Sequence, residues 1–400
     1  MKTRALILFL ILNILLFPCA IRAFGSPSDP EVLPDVLILQ RDKALSIPLT
    51  LPESPDTPSD ELAFQLLCLN TAMNEQETAD LVDSAGFTVT LQDHYDKEPE
   101  DASHTCAFTV ASGEVLCQGS EQPALLVVIR GTLEVGEWYS NFDLCPSHLD
   151  PPEYAENFLF CAEDVLLSLQ ECLEGLPDDT PVIVTGFSRG AACANLLGVL
   201  LHECAPERSV YVYTFACPNT IGKDSVLCKQ DHIFNYINPS DLIPMLPLPE
   251  WGFARAGNDI VLPLQKTAFA DAAAEMAQAI LTTSPTITDY YTARHSLIRS
   301  GEDPTGLTPF ELMILLAGNI AKQENILVTE DGRIEWNPPD PALTVIPESV
   351  KESDYYLLLQ TMEQVFGGDL EQGTEQLSQH FPSCYMELFA IRQEESHVLH

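Results

Sequence analysis

Residues Val182–Cys193 read VIVTGFSRGAAC, and this stretch decides how the chain around it folds. Val182–Thr185 is a continuous β-branched run, typical of a buried strand in a parallel sheet. Gly186–Gly190 has the form GxSxG, in which a strand turns sharply into a helix and lifts the serine hydroxyl above the sheet edge. The small and apolar residues that follow, as far as Leu201, predict a helix packed on that sheet. The stretch therefore predicts a nucleophile elbow at Ser188, and a tight turn with an ordinary serine is the alternative.

The remaining chain from residue 59 to about residue 250 alternates apolar runs with helical patterns. The predicted helices are Ser59–Leu69, Glu75–Ser84, Glu153–Leu173 and Ala191–Leu201. The predicted strands are Phe87–Leu91, Cys106–Val110, Val115–Cys117, Ala124–Ile129, Val182–Thr185, Val210–Phe215 and Ile233–Ile237, with Ser112-Gly113 as a turn. Strands that alternate with helices indicate an α/β domain around a mostly parallel sheet.

The N-terminal segment has the form of a secretion signal. Lys2 and Arg4 precede an apolar stretch that Pro18 closes, and this stretch is short for a membrane span. We expect residues 1–23 to be removed and the protein to be secreted, with an uncleaved membrane anchor as the alternative. Residues 24–58 are rich in proline and acid and predict a tether or an extended cover, with one strand at Val36–Leu39.

Residues 59–400 are expected to form one domain, interrupted by an insertion at about residues 250–350. Apolar helices at Thr267–Leu281 and Pro309–Gln323 lie there among Thr-, Pro- and Gly-rich joints. Such an insertion at the C-terminal edge of a sheet is either a lid or a helical subdomain without a gating role. Helices are predicted again at Asp354–Phe366 and Cys384–Arg392.

Charge and cysteine content limit the classes of partner. The net charge of −40 argues against nucleic acid and anionic membrane surfaces, but leaves neutral lipids and uncharged esters open. The twelve cysteines lack zinc-like spacing. Cys161 and Cys172 fall in one predicted helix, and Cys193 and Cys204 in another, each pair too far apart for a disulfide. Most cysteines are therefore interpreted as small buried hydrophobic residues.

A serine nucleophile requires an oxyanion hole and an acid, and both can be sought by position. The first oxyanion donor is the backbone N–H of Arg189, and the second is expected after an earlier central strand, where Leu125–Ile129 runs into Gly131-Thr132. A plain strand-end turn is the alternative for Thr132. The acid follows the serine, and Asp241 lies just past the predicted strand Ile233–Ile237.

Asp241 has alternatives of its own. It could serve as an ordinary turn or capping residue, and Asp224 and Asp231 are weaker candidates for the acid.

Five separated motifs, in this order, resemble those of the class 3 (fungal-type) lipase family. They are VVIRGT, GEWYSNFD, VIVTGFSRGAACANLLG, YTFACPNTIG and NYINPSDLIPMLP. The likeness is closest to secreted bacterial members with a long insertion before the last triad residue. It implies an α/β-hydrolase fold, Ser188 as nucleophile, Asp241 as acid, and Thr132 with Arg189 as oxyanion donors. Phe187 departs from the histidine that is commoner in the family at that position.

The catalytic histidine is the open position. After Asp241 the chain has His295 in the insertion, His380, and His397 with His400 near the C-terminus. His380 begins an H-x-P-x-x-Y pattern that resembles the histidine turn of the family, which favours it as the base. His295 remains the alternative.

These residues together indicate acyl transfer through serine, with no metal or organic cofactor. The expected substrate is a carboxylic ester, most of all an acylglycerol, with transient contact at a lipid interface; oligomeric state is left open. The alternatives are an inactive secreted binding protein of the same fold, or a thioesterase or peptidase on this scaffold.

Overall fold

The computed structural model describes residues 33–95, 105–132, 141, 154–174, 176–264 and 378–398, and between 265 and 377 short stretches at 273–274, 277–278, 281, 285–288, 326–328 and 334–336. The predicted signal segment 1–23, most of the insertion, the predicted helices Pro309–Gln323 and Asp354–Phe366, and His295 lie outside the described residues.

Eight strands form one sheet. In chain order the strands of the described chain are β1 (Thr50–Leu51), β2 (Phe87–Asp93), β3 (Phe108–Cys117), β4 (Ser120–Ile129), β5 (Val182–Phe187), β6 (Val210–Phe215), β7 (Ile221–Gly222), β8 (Ile233–Ile237), β9 (Phe253–Ala254), β10 (Asn258–Val261), β11 (Ile326–Val328) and β12 (Ile334–Trp336). The sheet has the order β1-β3-β4-β5-β6-β8-β10, with β2 beside β3. From β4 to β10 the strands are parallel, whereas β2, β3 and β4 are antiparallel neighbours. β7 pairs with β9, and β11 pairs with β12.

Helices cover the sheet. They are α1 (Asp35–Leu45), α2 (Asp60–Leu69), α3 (Glu75–Ser84), α4 (Glu156–Leu173), α5 (Arg189–Cys204) and α6 (Pro382–Val398). The N-terminal ends of α2 and α3 are set by capping residues. The side chains of Ser59 and Asn74 accept hydrogen bonds from Leu62 N–H and Glu77 N–H. This architecture confirms the prediction of an α/β fold with a mostly parallel sheet.

The two faces of the sheet carry separate cores. Along β4, Leu125, Val127 and Ile129 join the cluster under α4 and α5, because side chains alternate between the faces of a strand. Leu126 and Val128 point the other way, into the cluster under α1, α2, α3 and α6. Burial on both faces explains why the central strands are continuously apolar in sequence.

The predicted turn at Ser112-Gly113 is wrong. These residues lie inside β3, and the hairpin to β4 turns at Gln118-Gly119, where both residues have positive φ (51° and 81°). Positive φ at both central residues suits the twist of a two-residue hairpin. Gly113 serves packing instead, since a Cβ there would lie 2.7 Å from ring atoms of Phe87.

The predicted strand Val36–Leu39 is also wrong, because these residues belong to α1. Short apolar runs do not distinguish a strand from a helix, and here Asp35 in the first turn and Lys43 in the last turn favour the helix through its dipole. Leu37 and Leu45 of α1 are buried. The described part of segment 24–58 is therefore a cover rather than a loose tether: α1 packs on helices α2 and α3, and β1 joins the sheet.

The sheet continues past residue 250, the expected start of the insertion. β10 runs parallel to β8 at the edge, so that the described chain stays in the sheet until Val261. The described cysteines are free thiols, and Cys161 with Cys172 and Cys193 with Cys204 lie on single helices, α4 and α5, as expected. Among the described residues, no helix has the length and apolar character needed to cross a membrane.

Candidate active site

The turn between β5 and α5 has elbow geometry. Ser188 has φ 54° and ψ −120°, a backbone conformation that non-glycine residues seldom adopt and that costs about 1–3 kcal/mol. Two glycines permit this turn. A Cβ on Gly190 would clash with the carbonyl oxygens of Ile129 and Arg130, and one on Gly186 would clash with the backbone of Gly190. The elbow predicted from GxSxG is thus present, and Ser188 is 8% exposed.

Asp241 lies in the loop that follows β8 and is buried, with 2% of its surface exposed. Ile243 N–H donates to its Oδ1 at 3.0 Å, and Tyr385 O–H donates to its Oδ2 at 2.9 Å. These donors fix the carboxylate plane and compensate for burial of its charge. Asp224 and Asp231, the weaker candidates, are both exposed.

His380 lies between Asp241 and Ser188 and contacts both. It ends a 3₁₀ turn, Ser378–His380, directly before α6. Its Nδ1 lies 2.8 Å from Asp241 Oδ2, and its Nε2 lies 2.9 Å from Ser188 Oγ. An ionised carboxylate only accepts hydrogen bonds, so Nδ1 carries the proton and Nε2 accepts from the serine hydroxyl.

The structure therefore brings Ser188, Asp241 and His380 together. His295, the alternative base, and His400 lie outside the described residues, and His397 lies on α6 with its side chain outside them.

Helix α6 positions His380 through aromatic packing. Phe389 is fully buried, and its ring centroid lies 4.9 Å from that of Tyr236 on β8. Arg392 Nε donates to Asp60 Oδ2 at 2.7 Å, which joins α6 to α2. Nearer the site, the Phe187 ring lies 5.4 Å from the imidazole of His380.

Tyr385 is the residue of α6 that acts on the acid directly. Its side chain is fully buried, and it also accepts a hydrogen bond from Asn238 N–H at 3.2 Å. Burial, followed by the negative charge of Asp241, raises the pKa of Tyr385 well above its ordinary value. The phenol is therefore protonated at neutral pH and donates to the carboxylate.

The loop after β4 lies beside the nucleophile. A Cβ on Gly131 would be 3.8 Å from Ser188 Cβ, so the backbone of Gly131-Thr132 passes next to the serine. Thr132 is 7% exposed, and its Oγ1 accepts a hydrogen bond from Asn141 Nδ2 at 3.1 Å. The predicted oxyanion donors, Thr132 and the N–H of Arg189, thus lie on either side of Ser188 in the structure, one on this loop and one at the start of α5.

Two groups at this site were not identified from sequence. Asn141 belongs to the motif GEWYSNFD but received no role, and Arg189 was considered for its backbone N–H alone. Arg189 Nη1 donates to Asn141 Oδ1 at 2.7 Å. The sequence held one unused signal for this contact, a charged residue directly after the elbow serine at the start of the buried helix α5.

Within the part of the chain that the structure describes, no group of three or more His, Cys, Asp or Glu side chains could hold a metal ion. The chemistry available at the site is that of its hydroxyl, imidazole and carboxylate groups, with backbone and side-chain donors around them.

Residues 126–251 match the family described as Lipase (class 3). No curated protein matches the chain. The triacylglyceride lipase of Rhizomucor miehei is 16% identical with a TM-score of 0.36, and the match covers 57% of this chain and 80% of that one. The mono- and diacylglycerol lipase of Aspergillus oryzae is 20% identical with a TM-score of 0.38, covering 54% of this chain and 84% of that one.

The family match begins within β4 and ends after Asp241, so it contains the loop at Thr132, the elbow at Ser188 and the candidate acid. It confirms the resemblance drawn from the five motifs. Over this segment, about a third of its length, the chain is similar to class 3 lipases.

Proposed function

We propose that the chain is a secreted acylglycerol or carboxylic ester hydrolase that works through Ser188, His380 and Asp241 and an acyl-enzyme. The observation that carries this proposal is the position of His380, whose Nε2 lies 2.9 Å from Ser188 Oγ while its Nδ1 lies 2.8 Å from Asp241 Oδ2. A nucleophile, a base and a group that orients the base, each within hydrogen-bonding distance, are what serine acyl transfer requires.

In the first half of the reaction His380 takes the Ser188 proton as Oγ attacks the ester carbonyl carbon. Asp241 holds the imidazole in the tautomer with Nδ1–H and stabilises the imidazolium. The tetrahedral intermediate then collapses, the bond to the alcohol breaks, and the alcohol leaves with the proton from His380.

In the second half a water molecule attacks the acyl carbon of the serine ester and gives a proton to His380. Collapse of this second intermediate releases the carboxylic acid and returns the proton to Ser188. In both halves the N–H groups of Thr132 and Arg189 hold the oxyanion, and loss of one such donor typically costs about 10²- to 10³-fold in rate.

The test is hydrolysis of 4-nitrophenyl esters from acetate to palmitate by the mature protein. We expect Ser188→Ala and His380→Ala to abolish turnover and His295→Ala, the matched histidine control, to keep it. The chain-length optimum would assign the enzyme as an esterase or a lipase. Thermal unfolding of each variant would show that lost turnover is not lost folding.

Other outcomes favour the alternatives. Absence of Ser188-dependent turnover on every ester would support an inactive binding protein. If His295→Ala lost activity and His380→Ala kept it, His295 rather than His380 would be the catalytic base. Faster Ser188-dependent cleavage of thioesters or peptides than of esters would reassign the substrate class, because the same three residues serve all these reactions.

Charge supports neutral lipid as the surface that the enzyme meets. With a net charge of −40, the chain is repelled by anionic phospholipid but not by glycerides. We expect hydrolysis of an emulsified glyceride to slow when anionic phospholipid is added to its surface. An unchanged rate would contradict this expectation.

Secretion is the part of the proposal that rests on residues 1–23. Their basic start and short apolar stretch support removal by a signal peptidase. Mass spectrometry of the protein recovered from the medium of an expressing cell would reveal the mature N-terminus. Recovery of the full-length chain in the membrane fraction would instead favour the uncleaved anchor.

A further inference from the structure

The side chain of Arg189 is buried beneath the elbow, although the elbow needs only its backbone. With 1% of its surface exposed, Arg189 is among the largest fully buried side chains in the described chain. A guanidinium group loses strong hydration when it is buried, so its position requires compensating contacts.

Those contacts fix the direction of the guanidinium. Nη1 donates to Asn141 Oδ1 at 2.7 Å, and Nη2 donates to Cys161 Sγ at 3.1 Å. Phe158 lies on the same helix as Cys161, and its ring centroid is 6.0 Å from Cζ of Arg189. Helix α4 thus holds the guanidinium fork so that one arm points to Asn141.

The charge of Arg189 determines which way the Asn141 amide faces. A guanidinium donates hydrogen bonds and cannot accept them, so Asn141 must present Oδ1 to it. The NH₂ group of Asn141 then faces Thr132 Oγ1, at 3.1 Å. Because Thr132 Oγ1 accepts that bond, its own hydroxyl hydrogen is left to donate elsewhere.

We propose that the Arg189 side chain is a positioning residue for the oxyanion hole: through Asn141 it orients the Thr132 hydroxyl as a donor to the oxyanion. This inference rests on the proposed function, which places an oxyanion between Thr132 and Ser188. Arg189 therefore contributes twice, with its N–H as a direct donor and with its guanidinium through two neighbouring side chains.

Without the guanidinium, the donor and acceptor roles in the hydrogen bond between Asn141 and Thr132 are no longer fixed. The Asn141 amide can rotate and present Oδ1 to Thr132, whose hydroxyl then donates to Asn141 instead of the oxyanion. The transition state loses a donor while the bound ester loses little, so kcat falls and KM changes by less than about threefold.

The experiment is a double-mutant cycle between Arg189→Met and Thr132→Ala, measured as kcat and KM on 4-nitrophenyl butyrate. Thr132→Ala keeps the backbone N–H and removes the hydroxyl, and we expect it to lower kcat by about 100-fold. Arg189→Met in the wild-type background is expected to lower kcat by 10- to 100-fold. In the Thr132→Ala background it is expected to lower kcat by less than threefold.

Two further variants sharpen the cycle. Arg189→Lys keeps the charge and one donor direction, so it should restore part of the kcat lost in Arg189→Met. Asn141→Ala breaks the same link without emptying the buried site of the guanidinium. If Arg189→Met does not fold, the double-mutant cycle is measured between Asn141→Ala and Thr132→Ala instead.

Additive losses of kcat in both cycles would overturn the inference, because a merely structural role acts equally with or without the Thr132 hydroxyl. Failure of the proposed function has a different signature, namely turnover that persists in Ser188→Ala. Turnover that requires Ser188 but shows no coupling between Arg189 or Asn141 and Thr132 rejects the positioning role alone.

Discussion

The proposed nucleophile and the proposed base of this site are positioned by different means. Ser188 is set by its immediate neighbours, since Gly186 and Gly190 leave no room for a Cβ and force the turn. His380 lies 192 residues further along the chain and reaches Ser188 through the packing of α6 on the sheet. Local sequence therefore determines the nucleophile, whereas the base depends on tertiary packing that a short motif does not encode.

Gly190→Ala tests the local half of this comparison and has the largest expected effect. The new methyl group would overlap two backbone carbonyl groups of the β4 end, and neither can move without breaking the sheet. We expect no folded protein, or a fall in the thermal midpoint of more than 10 °C with no turnover. Gly119→Ala is the control. Its φ of 81° makes alanine strained there too, but no atom lies within 4 Å of the added Cβ.

Phe389→Ala tests the packing half. Truncation of a fully buried phenylalanine costs about 3–5 kcal/mol, and here it loosens α6 from Phe215 and Tyr236. We expect urea unfolding to show this loss and kcat to fall further than in Leu167→Ala, where the side chain is 66% exposed. Full activity in a folded Phe389→Ala protein would show that His380 is held by local contacts after all.

Tyr385→Phe separates packing from hydrogen bonding within the same helix. The substitution keeps the ring but removes the donor to Asp241 Oδ2 at 2.9 Å. We expect kcat to fall about tenfold and the free energy of unfolding to fall by about 1–3 kcal/mol, because the buried carboxylate of Asp241 loses a hydrogen-bond donor. The measurement is kinetics and urea unfolding of this variant. Tyr95→Phe is the control, because it removes a phenol that is hydrogen-bonded to Thr109.

Alkaline pH gives the smallest effect and tests the same phenol in the wild-type protein. The pKa of Tyr385 is raised in the fold, so above pH 10 the unfolded chain releases a proton that the folded chain keeps. Stability is then lost as pH rises, by at most about 1.4 kcal/mol per pH unit for one group. We expect Tyr385→Phe to lose stability less steeply than wild type above pH 10, and equal slopes would contradict this.

The features predicted well from sequence are those with local causes. The strands Val210–Phe215 and Ile233–Ile237 and the helix Glu75–Ser84 have the predicted bounds, because burial on both faces or a capping residue marks them in the chain. The elbow at Ser188 is of the same kind. The position of Asp241 beside His380 followed from its place after a strand, since parallel strands bring their carboxyl ends to one edge.

The features that were missed depend on neighbours distant in sequence. Gly113 looked like a turn residue because its partner, the Phe87 ring, cannot be seen from the sequence around it. Val36–Leu39 looked like a strand because helices α2 and α3, which contact α1, come later in the chain. Asn141 could not be assigned because its orientation depends on a guanidinium 48 residues later.

In the proposed mechanism, the late position of His380 also sets when activity can arise during biosynthesis. At about 5–20 residues per second, a ribosome reaches His380 roughly 10 to 40 s after it has made Ser188. Throughout that interval the nascent chain can have a strained serine but no base beside it. If His380 is the base, as we propose, the order of synthesis delays ester hydrolysis until α6 is made and docks.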